Sequence, residues 1–541
     1  MIGQNQSKLY LTVSILNNYS GNPVPIKRIA AIDIGTNSFH AVLVDIYSDG
    51  SFRTIDTLKE MVQLAKGGLG RRLTDGAIER GLRVLKNIKL LCDSHGAEEV
   101  MAYATSAIRE AENGGDFIQR SIDELGIKII AIPGQIEAEL IGYAVQHGVQ
   151  LDQDPVLMVD IGGGSVEFII GNKKEFYYLD SKKIGVARTT DIFKPSDPVT
   201  EEDIKKLRSF YKKELRGLKE ALKDYSIDTI VGSSGTMQNI ALMIAFMDRQ
   251  SKEIKLNELE FTKKQFNAFF KQFIRLNRSQ RLYAKGLDSK RLDIIMTGVL
   301  LVDYLINNIG FKKVKISDQA LREGIIIRYL RREMIGLPWQ GTFTDPQRRS
   351  VFELLRKCQW HEAHSTHVTD MALTLFDALK EELDLSAEDR VLLEYASLMH
   401  DIGYHISHSQ HHKHALYIIK NAELKGFKEE EINIMANVAR YHRRSVPQKR
   451  HTEYWELDGK IKKRIRRLSG ILRVADGLDR SHYQNVKKIH VELTDDELRI
   501  TAFTISDPQL EIWGAMRKSH LLAEVTGRKI VIEPRGMDVI G

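Results

Sequence analysis

Two stretches of this chain share one pattern of apolar and polar positions. Between Lys27 and Tyr47 the run RIAAIDIGTNSFHAVLVDI is apolar up to Asp33, breaks at a small polar turn, and resumes as a second apolar run. Pro155 to Gly171, PVLMVDIGGGSVEFIIG, repeats this, with Asp160 ending the first run before Gly162, Gly163, Gly164 and Ser165. Each stretch predicts two strands joined by a tight turn. The two aspartates lie 127 residues apart, and a duplicated hairpin at that distance predicts two related lobes, with Asp33 and Asp160 facing across a cleft.

The remaining periodicity fills in both lobes. Asp75 to His95 carries apolar residues at helical spacing: Ile78, Leu82, Leu85, Ile88 and Leu91. Val100 to Ala104 and Lys128 to Ile132 predict strands, each feeding a helix start, Thr105 to Glu110 and Pro133 to Glu139, the latter helix running to about Gln146. In the second lobe a helix over Glu201 to Lys223 precedes a strand at Thr229 to Val231 and the turn Gly232-Ser233-Ser234-Gly235-Thr236. A strand at Lys313 to Ile316 leads into a helix ending near Arg332. Gly336 to Pro346 interrupts the periodicity as a linker, and from Gln347 the pattern becomes that of a helical bundle. The alternating run from Lys488 predicts a small β-rich appendage, to which the residues assign no chemistry. The expected division is a poorly ordered tail over 1–26, lobes over 27–150 and 151–335, a helical domain over 345–485 and a small α+β domain over 486–541.

Several of these turns carry residues suited to phosphate chemistry. Glycines let backbone amides converge on an anion, and an aspartate at a strand end can hold a divalent cation. By that reasoning Thr36, Asn37 and Ser38 in one turn, and Gly162 to Ser165 in the other, are phosphate-binding candidates, with Asp33 and Asp160 as cation ligands. Ser234, Gly235 and Thr236 open a helix in the manner of a phosphate or ribose site. Arg109 can grip a phosphate with two N–H groups, and Glu137, in a first helical turn at the lobe junction, is placed to act as a general base. Each has a plainer reading taken singly: a hairpin tip, a salt bridge, an acid favoured by the helix dipole. In the helical region His367, the doublet His400-Asp401 and Asp476 offer four nitrogen and oxygen ligands for a second divalent metal, and His414 and His442 a further metal or phosphate contact.

Composition narrows the surroundings more than the chemistry. The 541 residues are 43% hydrophobic and 28% charged, an ordinary globular balance with material for three or four domains. The two cysteines cannot build a disulfide framework, which fits a reducing cytoplasm. A net charge of +7 permits an anionic partner. The densest basic run, KIKKRIRR at Lys460 to Arg467, reads as a solvated helix face, and no aromatic-rich basic motif for RNA is present. No apolar run reaches the roughly 20 residues that span a bilayer, and the short segment Leu9 to Leu16 is not followed by a cleavage site.

With these motifs in hand, the chain resembles the exopolyphosphatase/guanosine pentaphosphatase family. The likeness rests on DIGTNSFH (33–40), ATSAIREA (104–111), GQIEAELIG (134–142), VDIGGGSVE (159–167), GSSGT (232–236) and SDQALREG (317–324), in that order. It implies an α/β fold of two ribonuclease-H-like lobes of the actin/sugar-kinase/Hsp70 type and Mg²⁺-dependent hydrolysis of the terminal phosphate of polyphosphate or of the guanosine pentaphosphate alarmone. It also implies a homodimer. By resemblance Glu137 matches the catalytic glutamate, Asp160 and Glu167 the magnesium-associated acids, and Asn37, Ser38, Arg109 and the Gly162 to Ser165 loop the phosphate contacts. Where family members often carry two adjacent glutamates this chain has Ile136-Glu137, which leaves one candidate base. The C-terminal half resembles an HD-type phosphohydrolase domain. Two other functions remain compatible with the same residues: an ATP-dependent kinase or ATPase, and a sensor that binds a guanosine tetraphosphate without cleaving it.

Overall fold

The computed structural model describes residues 25–48, 50–64, 72–248, 254–333 and 345–536. The chain divides into two compact units, Met1–Pro346 and Gln347–Gly541. The expected tail falls almost wholly outside the described residues, except that Pro25 and Ile26 already belong to the first strand. The linker lies outside them as far as residue 344, and Pro346 opens a helix.

In the first unit the duplicated hairpins become two sheets of matching topology. Strands β1 (Pro25–Ile34), β2 (Ser38–Tyr47), β3 (Phe52–Met61), β4 (Glu99–Ala104) and β5 (Ile129–Ala131) form one sheet in the order β3-β2-β1-β4-β5. Strands β6 (Val156–Ile161), β7 (Val166–Gly171), β8 (Phe176–Lys182), β9 (Thr229–Ser233), β10 (Glu260–Thr262) and β11 (Lys313–Ile316) form the other, in the order β10-β11-β9-β6-β7-β8. In each, an antiparallel three-strand meander is extended by parallel strands, with β10 added antiparallel at the edge of the second sheet. The hairpins predicted from sequence are thus the first two strands of three.

Period-two alternation explains why β1 is apolar from Ile29 to Ile32: both of its faces are covered there. Ala30, Ile32 and Ile34 point into a core under α1 (Asp75–Ser94), while Ile29 and Ala31 join a second core with residues of α2 (Gly134–Gly148). That second core also takes Met158, Ile169 and Val231 from the other sheet, so it is shared by the two lobes. Helix α3 (Ser234–Asp248) follows β9, and α4 (Leu321–Glu333) packs on α2. A side chain at Gly324 would put its Cβ 2.0 Å from the Leu140 carbonyl oxygen, so only glycine permits this helix crossing. The crossing fixes α2, and with it the first-turn residue Glu137. The helix expected over Glu201 to Lys223 is broken into Glu201–Glu214, Arg216–Ala221 and a short 3₁₀ turn.

The second unit is a helical bundle with a three-stranded sheet. Its main helices are α5 (Glu362–Leu379), α6 (Ala387–Met399), α7 (His411–Asn421), α8 (Glu429–Tyr441) and α9 (Gly459–Gly477). The sheet joins β12 (Val486–Leu493), β13 (Glu497–Thr504) and β14 (Lys529–Gly536), with α10 (Gln509–Lys518) and α11 (His520–Thr526) between the last two strands. Glycines weld these helices to α9: a Cβ at Gly477 would lie 2.5 Å from Ala515 Cα, and one at Gly470 3.2 Å from Leu522 Cα. The basic run at Lys460 to Arg467 lies on α9, but it is not merely solvated. Arg464 pairs with Asp389 at 2.7 Å and Glu430 at 3.2 Å.

Candidate active site

The two predicted turns meet tip to tip in the first unit. A Cβ at Gly164 would lie 2.2 Å from Ser106 Oγ and 3.0 Å from Thr36 Oγ1, and one at Gly163 would lie 3.3 Å from Asn37 Nδ2. Glycine is required here for close approach rather than for an unusual torsion. The carbonyls of Gly162, Gly163 and Gly164 accept from backbone N–H groups of residues 185–188, and Arg188 Nε donates to Gly164 O at 2.9 Å, which fixes the loop from behind. Across from it Thr36 Oγ1 and Ser106 Oγ share a hydrogen bond of 3.1 Å.

Four acids predicted from sequence gather at this junction. Asp33 and Asp160 lie near the ends of β1 and β6, central strands of the two sheets, Glu167 sits on β7 opposite Asp160, and Glu137 enters from α2. Gly134 makes that entry possible, because a Cβ there would fall 2.5 Å from Ser181 Cβ. Ser181 Oγ in turn donates to Glu167 Oε1 at 2.8 Å, and Ser233 Oγ donates to Asp160 Oδ2 at 2.6 Å. Arg109 donates from Nη1 to both Glu137 Oε2 and Ile132 O, each at 2.8 Å, so it orients the Glu137 carboxylate.

Enclosure makes all four acids harder to ionise, and repulsion from neighbouring acids adds to it at Asp33, Glu137 and Glu167. Burial pushes Asp33 up to about 7, with Glu137 and Asp160 adding to the effect against Arg322. Glu137 is likewise pushed up to about 7 by burial, held down in part by Arg109 and raised again by Asp160. Glu167 is raised well above the usual carboxylate range by burial and by Glu137 and Asp160; Asp160 is raised by burial against the pull of Ser233 and Ser234. An oxygen-rich set of acids that resist ionisation together suits Mg²⁺ in the chemistry of its donors, while no three of them bring a ligand atom each within 4.8 Å of one another in this structure.

The GSSGT turn is tied inward. Ser234, at φ 69°, donates from Oγ to Ile161 O at 2.8 Å, and Thr236 Oγ1 accepts from Arg291 Nη1 at 3.2 Å. The Arg291 guanidinium covers Gly235, where a Cβ would meet Nη2 at 2.1 Å. Arg291 lies in no strand-to-helix turn, which is the signal used to find the other phosphate-binding candidates. His40 and Arg322 sit in the quoted motifs but were given no role. Arg322 Nη1 is 3.0 Å from His40 Nδ1, and His40 Nε2 is 2.9 Å from Ser38 Oγ.

The second unit gathers a different set. His364, His400 and Asp476 bring one ligand atom each within 4.8 Å of one another, as do Asp401, His411 and His442, and His364, Asp401 and His482. His400, Asp401, His442 and Asp476 were expected there; His367 and His414 are corrected to His364 and His411. Both corrections are the same three-residue slip along a helix, close to one turn, which moves a side chain along and around to the neighbouring stripe. His367 Nε2 is buried without a hydrogen-bond partner, and His367 belongs to none of these groups. From the C-terminal segment Lys518 Nζ hydrogen-bonds Asp476 Oδ2.

The profile of the Ppx/GppA phosphatase family matches residues 43–333, more than half of the chain. The chain belongs to this family. A second profile, Ppx/GppA phosphatase domain III, matches residues 347–512. A guanosine-5'-triphosphate,3'-diphosphate pyrophosphatase of Photobacterium profundum is 28% identical over 420 residues, 77% of this chain and 80% of that protein. Among solved structures, an exopolyphosphatase of Cytophaga hutchinsonii is 33% identical with a TM-score of 0.54, over 56% of this chain and 98% of that one. A Ppx/GppA family member of Aquifex aeolicus is 29% identical with a TM-score of 0.50, over 57% and 99%. The junction of acids and glycine turns thus belongs to a phosphatase fold. Among the described residues no helix is long and apolar enough to cross a membrane.

Proposed function

We propose that the first unit hydrolyses the terminal phosphoanhydride of inorganic polyphosphate or guanosine pentaphosphate, with Glu137 as general base. The observation that carries this is the convergence of Glu137, its partner Arg109 and three further acids on the contact between the two glycine and hydroxyl turns. In the step, the oxygen of water bonds to the terminal phosphorus, the bridging P–O bond breaks, and the proton of the water passes to Glu137. The products are orthophosphate and a chain one phosphate shorter. Phosphoryl transfer needs mainly positioning and electrostatic stabilisation, which amides, hydroxyls and a cation provide. Asp33, Asp160 and Glu167 would hold Mg²⁺, which supplies charge for the non-bridging oxygens. Thr36, Asn37, Ser38 and the Gly162 to Ser165 loop would receive the terminal phosphate. Arg109 holds Glu137 Oε2, leaving the other carboxylate oxygen for water.

Glu137→Gln preserves shape and removes the base. Orthophosphate release from long-chain polyphosphate and from guanosine pentaphosphate, measured side by side, is expected to fall roughly 10²- to 10⁴-fold for whichever is the substrate. Wild-type turnover in that variant would remove Glu137 from the mechanism.

A further inference from the structure

We propose that an apolar cavity at the far end of α3 from the GSSGT turn binds an amphiphilic carboxylate of the fatty-acid class, and that its filling steadies Arg291 at that turn. The binding stands apart from the anhydride hydrolysis of the first unit, whereas the effect on turnover rests on that reading. The cavity measures about 290 Å³ and lies between the C-terminal half of α3 and the helix Lys263–Phe273. Met243 and Met247, four residues apart on α3, make one wall. Phe269 and Phe273, four apart on the other helix and stacked at 4.9 Å between ring centroids, make the second. Met243 and both phenylalanines are buried, so the cavity reaches into the core of the second lobe.

The lining selects the ligand. Among the described residues that form it, Gln272 and Lys285 are the polar ones; both are exposed and so stand at the mouth. Apolar walls gain from an acyl chain the dispersion contacts that water does not give them, and methionine thioethers adapt to its shape. At the mouth one ammonium and one amide N–H, both donors, match the two oxygens of a single carboxylate. Among the described residues Lys285 enters no ion pair, so its charge is available to that head group. The volume lies at the lower end of the roughly 300 to 1,000 Å³ of small-molecule sites, which admits one chain and not a protein segment.

A strap of chain joins this cavity to the candidate active site. Ala284 and Lys285 line the cavity, the next residues run back along α3, and Arg291 ends at the GSSGT turn. The strap is seated at three points. Gly286, at φ 93°, lies so close to α3 that a Cβ would meet Met243 N at 2.7 Å. Asp288 N donates to Asn239 Oδ1 at 2.6 Å, and Asn239 Nδ2 donates to Gly235 O at 2.9 Å. Arg291 Nη1 donates to Thr236 Oγ1 at 3.2 Å. A ligand that touches α3, the helix Lys263–Phe273 and Ala284 together makes those contacts with the seated strap and loses some of them with a displaced one. It therefore shifts the strap toward the seated arrangement and holds Arg291 over Gly235. By linkage, substrate phosphate at that turn then binds more tightly.

The test uses the full chain, with decanoate as the probe and decanol as its uncharged counterpart. In ¹³C-methyl methionine spectra decanoate is expected to move the signals of Met243 and Met247, and to leave that of Met435 in the second unit in place. Unmoved signals at Met243 and Met247 overturn the site. Decanoate is expected to bind about fivefold more tightly than decanol, a modest margin because the ammonium is exposed, and Lys285→Gln to abolish the difference. Equal binding of the two by the wild type overturns the carboxylate class. Hydrogen exchange at the backbone amides of Asp288 and Arg291 is expected to slow severalfold with decanoate bound, and unchanged rates overturn the coupling to Arg291. These readouts need no turnover, so failure of the site is distinguishable from failure of the hydrolysis reading. With the substrate that is cleaved, saturating decanoate is expected to lower KM roughly fivefold at constant kcat, and an unchanged KM overturns the effect on turnover.

Discussion

In the first unit Asp33, Glu137, Asp160 and Glu167 face one another, and every one of them is harder to ionise than in water. In the second unit the carboxylates are just as enclosed but behave in the opposite way. Burial alone would raise Asp401 and Asp476, yet His400, His411 and His442 hold Asp401 well below the usual range, and Lys518 and His442 do the same for Asp476. The difference lies in neighbours rather than depth. Acids among acids resist ionisation together; acids among imidazoles and an ammonium are held ionised by their neighbours.

The largest expected break in this comparison is chemical. Glu137→Gln is expected to lower anhydride hydrolysis roughly 10²- to 10⁴-fold. Orthophosphate release at the wild-type rate would remove Glu137 from the mechanism. Next in size is a test of the turn contact. Gly164→Ala would drive a methyl group to 2.2 Å from Ser106 Oγ and separate the two turns. A displacement near 1 Å is expected to cost roughly 10²-fold in kcat/KM, with thermal unfolding showing a smaller loss. Near-normal kinetics in that variant would mean the turns need not touch for catalysis.

The two sites were unequally legible in the sequence. The first announces itself through local motifs, because an apolar strand, an acid and a run of glycines are contiguous and their geometry is set by a few bonds. Its missing members, Arg291 and the His40 to Arg322 contact, are long-range partners: Arg322 lies 282 residues from His40. The third strand of each meander was also missed, since β3 reads FRTIDTLKEM and is largely polar and half exposed. In the second unit His364 and His367 share one helix, one composition and nearly one set of apolar neighbours. Helical periodicity locates the buried stripe to within a turn, and only Asp479, 115 residues away, shows which imidazole is anchored there. Lys518 was illegible for the same reason, because packing between Gly477 and Ala515 brings it to Asp476.

A smaller effect concerns cation and proton at the first site. Asp33 and Glu137 are both raised to about 7, so the folded protein binds protons there more tightly than the unfolded chain does. The sign follows: without metal, this contribution to stability is complete below the ordinary carboxylate range and is lost as pH rises toward about 7. Mg²⁺ at roughly 100 times its Kd is expected to stabilise the fold by about 3 kcal/mol at pH 8, a rise of several degrees in Tm. At pH 5 protons occupy the same oxygens and the rise is expected to shrink. Differential scanning calorimetry at the two pH values checks this, and an equal rise at both would show that these acids do not hold the cation.

The smallest expected effect is at His40. Because Arg322 can only donate, His40 Nδ1 accepts and its Nε2–H donates to Ser38 Oγ, which leaves the hydroxyl proton of Ser38 free for a phosphate oxygen. Burial, with Lys59, Arg322 and Arg291 nearby, pushes His40 down to about 3, so it stays neutral through the working range. His40→Ala therefore removes one neutral hydrogen bond, expected to raise KM for polyphosphate about tenfold or less with little change in kcat. The acid limb of the pH–rate profile is expected to stay where it was, because His40 does not titrate there. A shifted limb would mean that the imidazole carries charge in the enzyme–substrate complex, and that the first site, like the second, relies on a histidine to balance its acids.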